Sequence, residues 1–84
     1  MEISIVKDEK NEMEFMIDNG TIAEILRVYL NNGGIDFAAW RREHPSKPAL
    51  FRIEDSKNVR KEISEAVSSI QKDLETLEKE IKKK

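Results

Sequence analysis

Eighty-four residues with 17 acidic and 15 basic side chains carry a formal net charge of -2, and 38 % of the residues are hydrophobic. A chain of this length makes one domain, residues 1–84, that buries only about 60 to 65 % of the surface it exposes when unfolded, and its near-neutral charge argues against a phosphate-binding footprint. The absence of cysteine removes disulfides and thiolate metal sites, and a single histidine leaves a zinc site dependent on carboxylates, so no cofactor is expected.

The opening Met1-Glu2-Ile3-Ser4-Ile5 lacks the basic start and long apolar run of a signal peptide, and no stretch nears the roughly 18 apolar residues of a membrane span. The expectation is a soluble cytoplasmic protein. Ile3 and Ile5 alternate with polar neighbours, a polar turn covers Lys7 to Asn11, and Met13, Phe15 and Ile17 alternate with Glu12, Glu14 and Met16. This pattern predicts two antiparallel strands with one covered and one wet face.

Asn19-Gly20 closes the second strand, and Thr21 with Glu24 has the spacing of a capping box, which places a helix start at Thr21. Ile22, Ile25, Leu26, Tyr29 and Leu30 recur at helical spacing until Asn31-Asn32-Gly33-Gly34, giving a first helix of about ten residues. A third strand is expected from Ile35 to near His44-Pro45, with Phe37 and Ala39 on one face and Ala38 and Trp40 on the other. After the turn residues Ser46-Lys47-Pro48, Ala49, Phe51 and Ile53 mark a fourth strand.

Asp55 or Ser56 is the expected cap of a long C-terminal helix over about 57–82. Its apolar positions, Val59, Ile63, Ala66, Val67, Ile70, Leu74, Leu77 and Ile81, form one continuous stripe. On its polar face Glu75 and Lys79, Glu78 and Lys82, and Glu80 and Lys84 fall at i,i+4 in the favourable orientation. The order β-β-α-β-β-α predicts a two-layer α+β domain, a mainly antiparallel four-stranded sheet covered on one face by two helices.

No catalytic motif is present. The three glycines fit neither a phosphate loop nor a dinucleotide fingerprint, and adjacent strand residues such as Glu43 and His44 point apart, which makes them poor partners for proton transfer. Trp40, Arg41, Arg42 and Arg52 are the nearest approach to a basic aromatic surface. A stand-alone module binding single-stranded nucleic acid through these four residues is the alternative reading, weakened by Glu43 and Glu54, which interrupt the charge.

The apolar stripe is more informative. The last helix spans roughly 40 Å, whereas a strand of five or six residues spans about 17 to 20 Å. Ile22, Leu26, Val59, Ile63 and Ile70 are expected to serve the intrachain core, while Leu74, Leu77 and Ile81 lie beyond what the sheet can shield. A partner chain is therefore expected over Ile22, Ile25, Leu26, Tyr29, Ile70, Leu74, Leu77 and Ile81.

The residues also resemble a known family. Met1-Glu2-Ile3, the run Asn11-Glu12-Met13-Glu14-Phe15 leading to Thr21 and Leu26-Arg27, the segment Gly34-Ile35-Asp36-Phe37-Ala38-Ala39-Trp40 with His44-Pro45, and the charged last helix are together similar to the archaeal DNA-directed RNA polymerase subunit L family. That family is akin to the small eleventh subunit of eukaryotic RNA polymerase II and to the dimerisation part of the bacterial alpha subunit. The most specific part is Gly34 to Pro45, in which Phe37, Ala38, Trp40, His44 and Pro45 match the structural motif. Where the family has his-thr-leu-x-asn at the start of the first helix, this chain has Gly20-Thr21-Ile22-Ala23-Glu24. The resemblance implies a heterodimer with the polymerase's D subunit, which joins the N and P subunits as the platform for the large catalytic subunits. It implies a non-catalytic role in transcription within a nucleotidyltransferase complex, with no direct contact to nucleic acid and none to a membrane.

Overall fold

The structure, a computed structural model, describes residues 1–83. Strands β1 (Ile3–Asp8) and β2 (Glu12–Ile17) are followed by helix α1 (Gly20–Asn32), strands β3 (Phe37–Arg41) and β4 (Ala49–Glu54), and helix α2 (Val59–Lys82). The strands form one antiparallel sheet in the order β1-β2-β4-β3, so the α+β architecture and the β-β-α-β-β-α order are as the alternation and helical periodicity predict.

Register explains the core. Met13, Phe15 and Ile17 on β2 stand opposite Ile53, Phe51 and Ala49 on β4, and period-two alternation puts all six on the face beneath the helices. There they meet Ala23, Leu26 and Leu30 of α1 and Val59 and Ala66 of α2. Phe15 and Phe51 stack with ring centroids 5.1 Å apart.

The helix ends correct three expectations. Asn19, not Thr21, caps α1: its Oδ1 accepts from the Ile22 amide at 3.0 Å, and Glu24 turns elsewhere. Asn58, not Asp55 or Ser56, caps α2 by accepting from the Arg60 and Lys61 amides at 3.0 and 3.4 Å. Asn is as good a cap as Thr or Asp, and Asp55 is buried at the end of β4, where its amide donates to the Asn11 carbonyl at 3.0 Å. The third correction is length, since α1 runs for 13 residues.

The expected start of β3 at Ile35 is also overturned. Gly34 holds φ +86°, a conformation that costs glycine little. It sets up a Schellman ending for α1, in which Gly34 donates to the Asn31 carbonyl at 3.2 Å and Ile35 to the Leu30 carbonyl at 3.2 Å. Ile35 is consumed by that cap and buried, so pairing begins only at Phe37. The strand ends at Arg41, short of His44-Pro45, which sits in an exposed turn closed by the Lys47 amide on the His44 carbonyl at 3.0 Å.

One expectation fails in an informative way. Ile3 and Ile5 pair with the buried Ile17 and Phe15 and so share their face, yet they are 51 % and 57 % exposed. Helix α1 packs on β3, β4 and α2, and β1 lies at the opposite edge of the sheet from β3. A bulge between Ile5 and Lys7 adds Val6, 58 % exposed, to the uncovered strand.

Replacing Phe51 by Ala is expected to cost about 3 to 5 kcal/mol, whereas Phe37→Ala on the outer face should cost under about 1 kcal/mol. Equilibrium urea unfolding of both variants checks the assignment, and equal losses would contradict it.

Candidate partner interface

Helix α2 begins firmly anchored. The Val59 amide donates to the Lys10 carbonyl at 2.9 Å, Asn11 Nδ2 donates to the Lys57 carbonyl at 2.9 Å, and Arg60 pairs with Asp8. These contacts pin the helix start to the β1–β2 turn. Over its first half the stripe is covered in part, with Val59 and Ala66 buried and Ile63 and Ile70 half-buried. At the Asp73 level the Tyr29 hydroxyl of α1 donates to Asp73 Oδ2 at 2.7 Å, and this bond together with burial raises the tyrosine pKa above its usual value.

Beyond that tie the stripe has no cover from its own chain. Leu74, Leu77 and Ile81 are 59 %, 55 % and 63 % exposed. The polar flank is partly latched along the helix, with Lys82 on Glu78 at 2.7 Å and Lys83 on Glu80 at 3.6 Å. The Glu80–Lys84 pair expected from the sequence lies outside the described residues.

The other predicted interface residues divide. Leu26 is buried in the core, while Ile22 and Ile25 are exposed and Tyr29 is half-buried. Glu24 explains how α1 is oriented. Its carboxylate accepts from Arg27 Nε and Nη2 at 2.8 and 2.6 Å and from Trp40 Nε1 at 3.0 Å, so this flank of α1 faces β3. At about 100° per residue, Ile22 and Ile25 lie on the opposite flank together with Tyr29, which meets α2. Ile22, anticipated as core, therefore stands at the open side of the helix layer.

Sequence reasoning missed the uncovered β1, because alternation identifies a face without saying whether a helix reaches it. It also missed the role of Glu24, whose partner Arg27 is visible as an i,i+3 pair but whose contact with Trp40 is tertiary. A side chain at Gly20 would approach Arg42 Nη2 at 3.2 Å and Trp40 Cη2 at 3.7 Å, so the start of α1 rests closely on the end of β3.

The basic aromatic residues come together in part, since Trp40, Arg41 and Arg52 border one groove with Phe37 and Glu14. Trp40 pairs with Phe51 and shares the helix-facing side, whereas Arg41 and Arg52 pair with Leu50 and Ala39 on the outer face. Arg52 is surrounded by carboxylates, donating to Glu12 Oε2 at 2.7 Å and Glu54 Oε1 at 3.2 Å and lying 3.8 Å from Glu14. Arg41 lies 3.7 Å from Glu43, and a stacking platform would need these charges free beside the ring. His44 is exposed and engaged with Ser46 Oγ at 2.7 Å. Among the described residues, no three His, Cys, Asp or Glu side chains converge, and no helix is long and apolar enough to cross a membrane.

The shape of the chain quantifies the surplus. A compact 9.8 kDa monomer exposes about 5,200 Å², and this chain exposes 6110 Å², an excess of about 900 Å². Its radius of gyration is 14.0 Å, where about 12 Å is usual for this length. The excess is on the scale of one side of a standard protein interface, about 800 Å².

No family model matches this chain, and neither does any curated protein.

The Arg27 fork, followed by the Trp40 indole, holds the Glu24 carboxyl at about 2, below its usual 4.5. A depressed carboxyl stabilises the fold fully above the unfolded value and loses that contribution as pH falls toward about 2. Emission from Trp40, the single tryptophan, should therefore change with a midpoint near 2, and Glu24→Gln should remove that transition. A midpoint near 4.5 would contradict the contact.

Proposed function

We propose that this chain is a non-catalytic assembly subunit of a DNA-directed RNA polymerase, of the subunit L type, which pairs with the polymerase's D subunit. That heterodimer then joins the N and P subunits to seat the two large catalytic subunits. The observation that carries the reading is the exposure of Leu74, Leu77 and Ile81 on a helix whose earlier turns are packed.

The physical support is specific to pairing. Exposed apolar side chains at spacings of three and four are what a helical partner surface covers. At about 25 cal/mol per Å² the gross gain from several hundred Å² of apolar contact is on the order of 10 kcal/mol, enough to offset the cost of association. The choice of polymerase rests on the likeness of Gly34 to Pro45 to the family motif, joined to the β-β-α-β-β-α order. In this role the chain supplies positioning, and the nucleotide chemistry with its magnesium belongs to the large subunits.

The departure at the start of α1 has a local rationale. Glu24, at the position of the family's asparagine, ties Arg27 and Trp40 together, which fixes α1 against β3 and leaves Ile22 and Ile25 presented on the open flank.

Co-expression with a tagged D subunit should yield a 1:1 complex from which the double variant Leu74→Asp, Ile81→Asp is lost by at least about 100-fold in affinity, with unchanged far-ultraviolet circular dichroism. An intact wild-type chain that ignores the D subunit at micromolar concentration would overturn the proposal.

A further inference from the structure

The outer face of the sheet, turned away from both helices, is charged over its centre and apolar at one corner. Glu12, Glu14 and Arg52 occupy the centre, whereas Phe37 and Ala39 on β3, Leu50 on β4 and Met16 on β2 form an apolar strip. Ala39 stands between Phe37 and Arg41 on this face, because alternate strand residues share a side, and its methyl is too short to fill the space between them. The result is a notch of about 330 Å³ bordered by Phe37, Ala39, Arg41, Leu50 and Arg52. A second hollow, of about 190 Å³, shares Arg41 and Leu50 with the first and opens over Met16 and Pro48, with Lys47 at its rim. Phe37 is 43 % exposed there, and β3 is the last strand of the sheet, so the notch can be reached from the side.

The two ends of the strip differ in charge. Arg52 is engaged by Glu12, Glu14 and Glu54. At the other end Arg41, its side chain 71 % exposed, lies 3.7 Å from Glu43, and Arg42 and Lys47 form no ion pair among the described residues. Arg41, Arg42 and Lys47 thus face a single carboxylate, Glu43, in a chain whose net charge is -2.

We propose that this corner docks an extended acidic segment of a partner protein, which sets two bulky apolar side chains into the two hollows and a carboxylate against Arg41 and Lys47. One hollow lies between Leu50 and Arg52 and the other between Pro48 and Leu50, so their centres are about two residues of strand apart, roughly 7 Å. That is the step between neighbouring side chains on one side of an extended peptide. Removing two apolar side chains from water supplies the attraction, and the carboxylate, paired with an arginine, fixes the direction of the segment. A nucleic acid would instead bring its phosphates against Glu14 and Glu43. The inference goes beyond the assembly role, because the surface offered to the D subunit lies on the helix layer, on the other side of the sheet.

Trp40, the single tryptophan, borders the notch and reports its occupancy through its emission. The probe is a synthetic peptide with two leucines two residues apart followed by two aspartates, titrated into the full chain. A saturable change in emission is expected. Ala39→Leu, which fills the notch, and Arg41→Glu, which reverses its charge, should each weaken binding at least about 10-fold, while Arg41→Lys keeps the charge and most of the binding. These changes lie on the outer face, away from the core, and circular dichroism verifies that the variants fold. A peptide with lysines in place of the aspartates should bind at least about 10-fold more weakly. Flat emission up to about 1 mM peptide overturns the inference, as do equal affinities for the two peptides, indifference to both Ala39→Leu and Arg41→Glu, or a single-stranded oligonucleotide that binds more tightly than the acidic peptide. Pairing with the D subunit is read separately and should persist in Ala39→Leu. A chain that ignores the D subunit yet takes the acidic peptide upholds this inference and removes the assembly role.

Discussion

A long helix on a short sheet is the constraint from which the rest of the molecule follows. Helix α2 has 24 residues, about 36 Å of rise, and the six-residue strands beneath supply about 20 Å. Its start is fixed at the β1–β2 turn by backbone bonds and the Arg60–Asp8 pair, so the excess length appears at one end only. After the Tyr29–Asp73 bond, Leu74, Leu77 and Ile81 form an exposed apolar ridge beside a charged flank. A chain of this size stabilises itself on a small core, and the remainder of the α2 stripe stays uncovered.

The polar residues are spent on holding that arrangement. On the outer face Arg52 gathers Glu12, Glu14 and Glu54, and Lys7 meets Glu12 at 2.6 Å. These partners raise the pKa of Arg52 and Lys7 and lower that of Glu12. On the inner side Glu24 fastens α1 to Trp40, and Asp36 accepts from the Ser56 amide at 2.8 Å, linking the approach to β3 with the exit from β4. Such exposed pairs contribute little each, and their value lies in orientation. The Glu24–Trp40 bond holds α1 toward β3, and β1 at the other edge stays exposed.

Much of this is legible in the sequence. Alternation in Met13-Glu14-Phe15-Met16-Ile17 and in Ala49-Leu50-Phe51-Arg52-Ile53 marks the two central strands, because both are covered on one face and wet on the other. The stripe of α2 marks the helix and its unshielded end. The helix starts are less legible, since Asn19 and Asn58 compete with neighbouring Thr21, Asp55 and Ser56 of similar capping strength and only tertiary contacts select the winner. The exposure of Ile3 and Ile5 is hidden from alternation, because burial of an edge strand depends on where a helix lands, and that is decided by Glu24 and Trp40 at the far edge. The carboxylates that engage Arg52 are likewise hidden from a linear reading, because Glu12 and Glu14 reach it only through the β2–β4 register.

If another chain completes this fold, folding and association are one equilibrium, and stability must rise with protein concentration by mass action. The most direct measurement is the urea midpoint of this protein, held at a few micromolar, as a function of added D subunit. A fold completed by that chain has a midpoint that climbs as the D subunit is raised from about 1 to 100 µM. A midpoint that stays constant over that range, with a single cooperative transition, would contradict it.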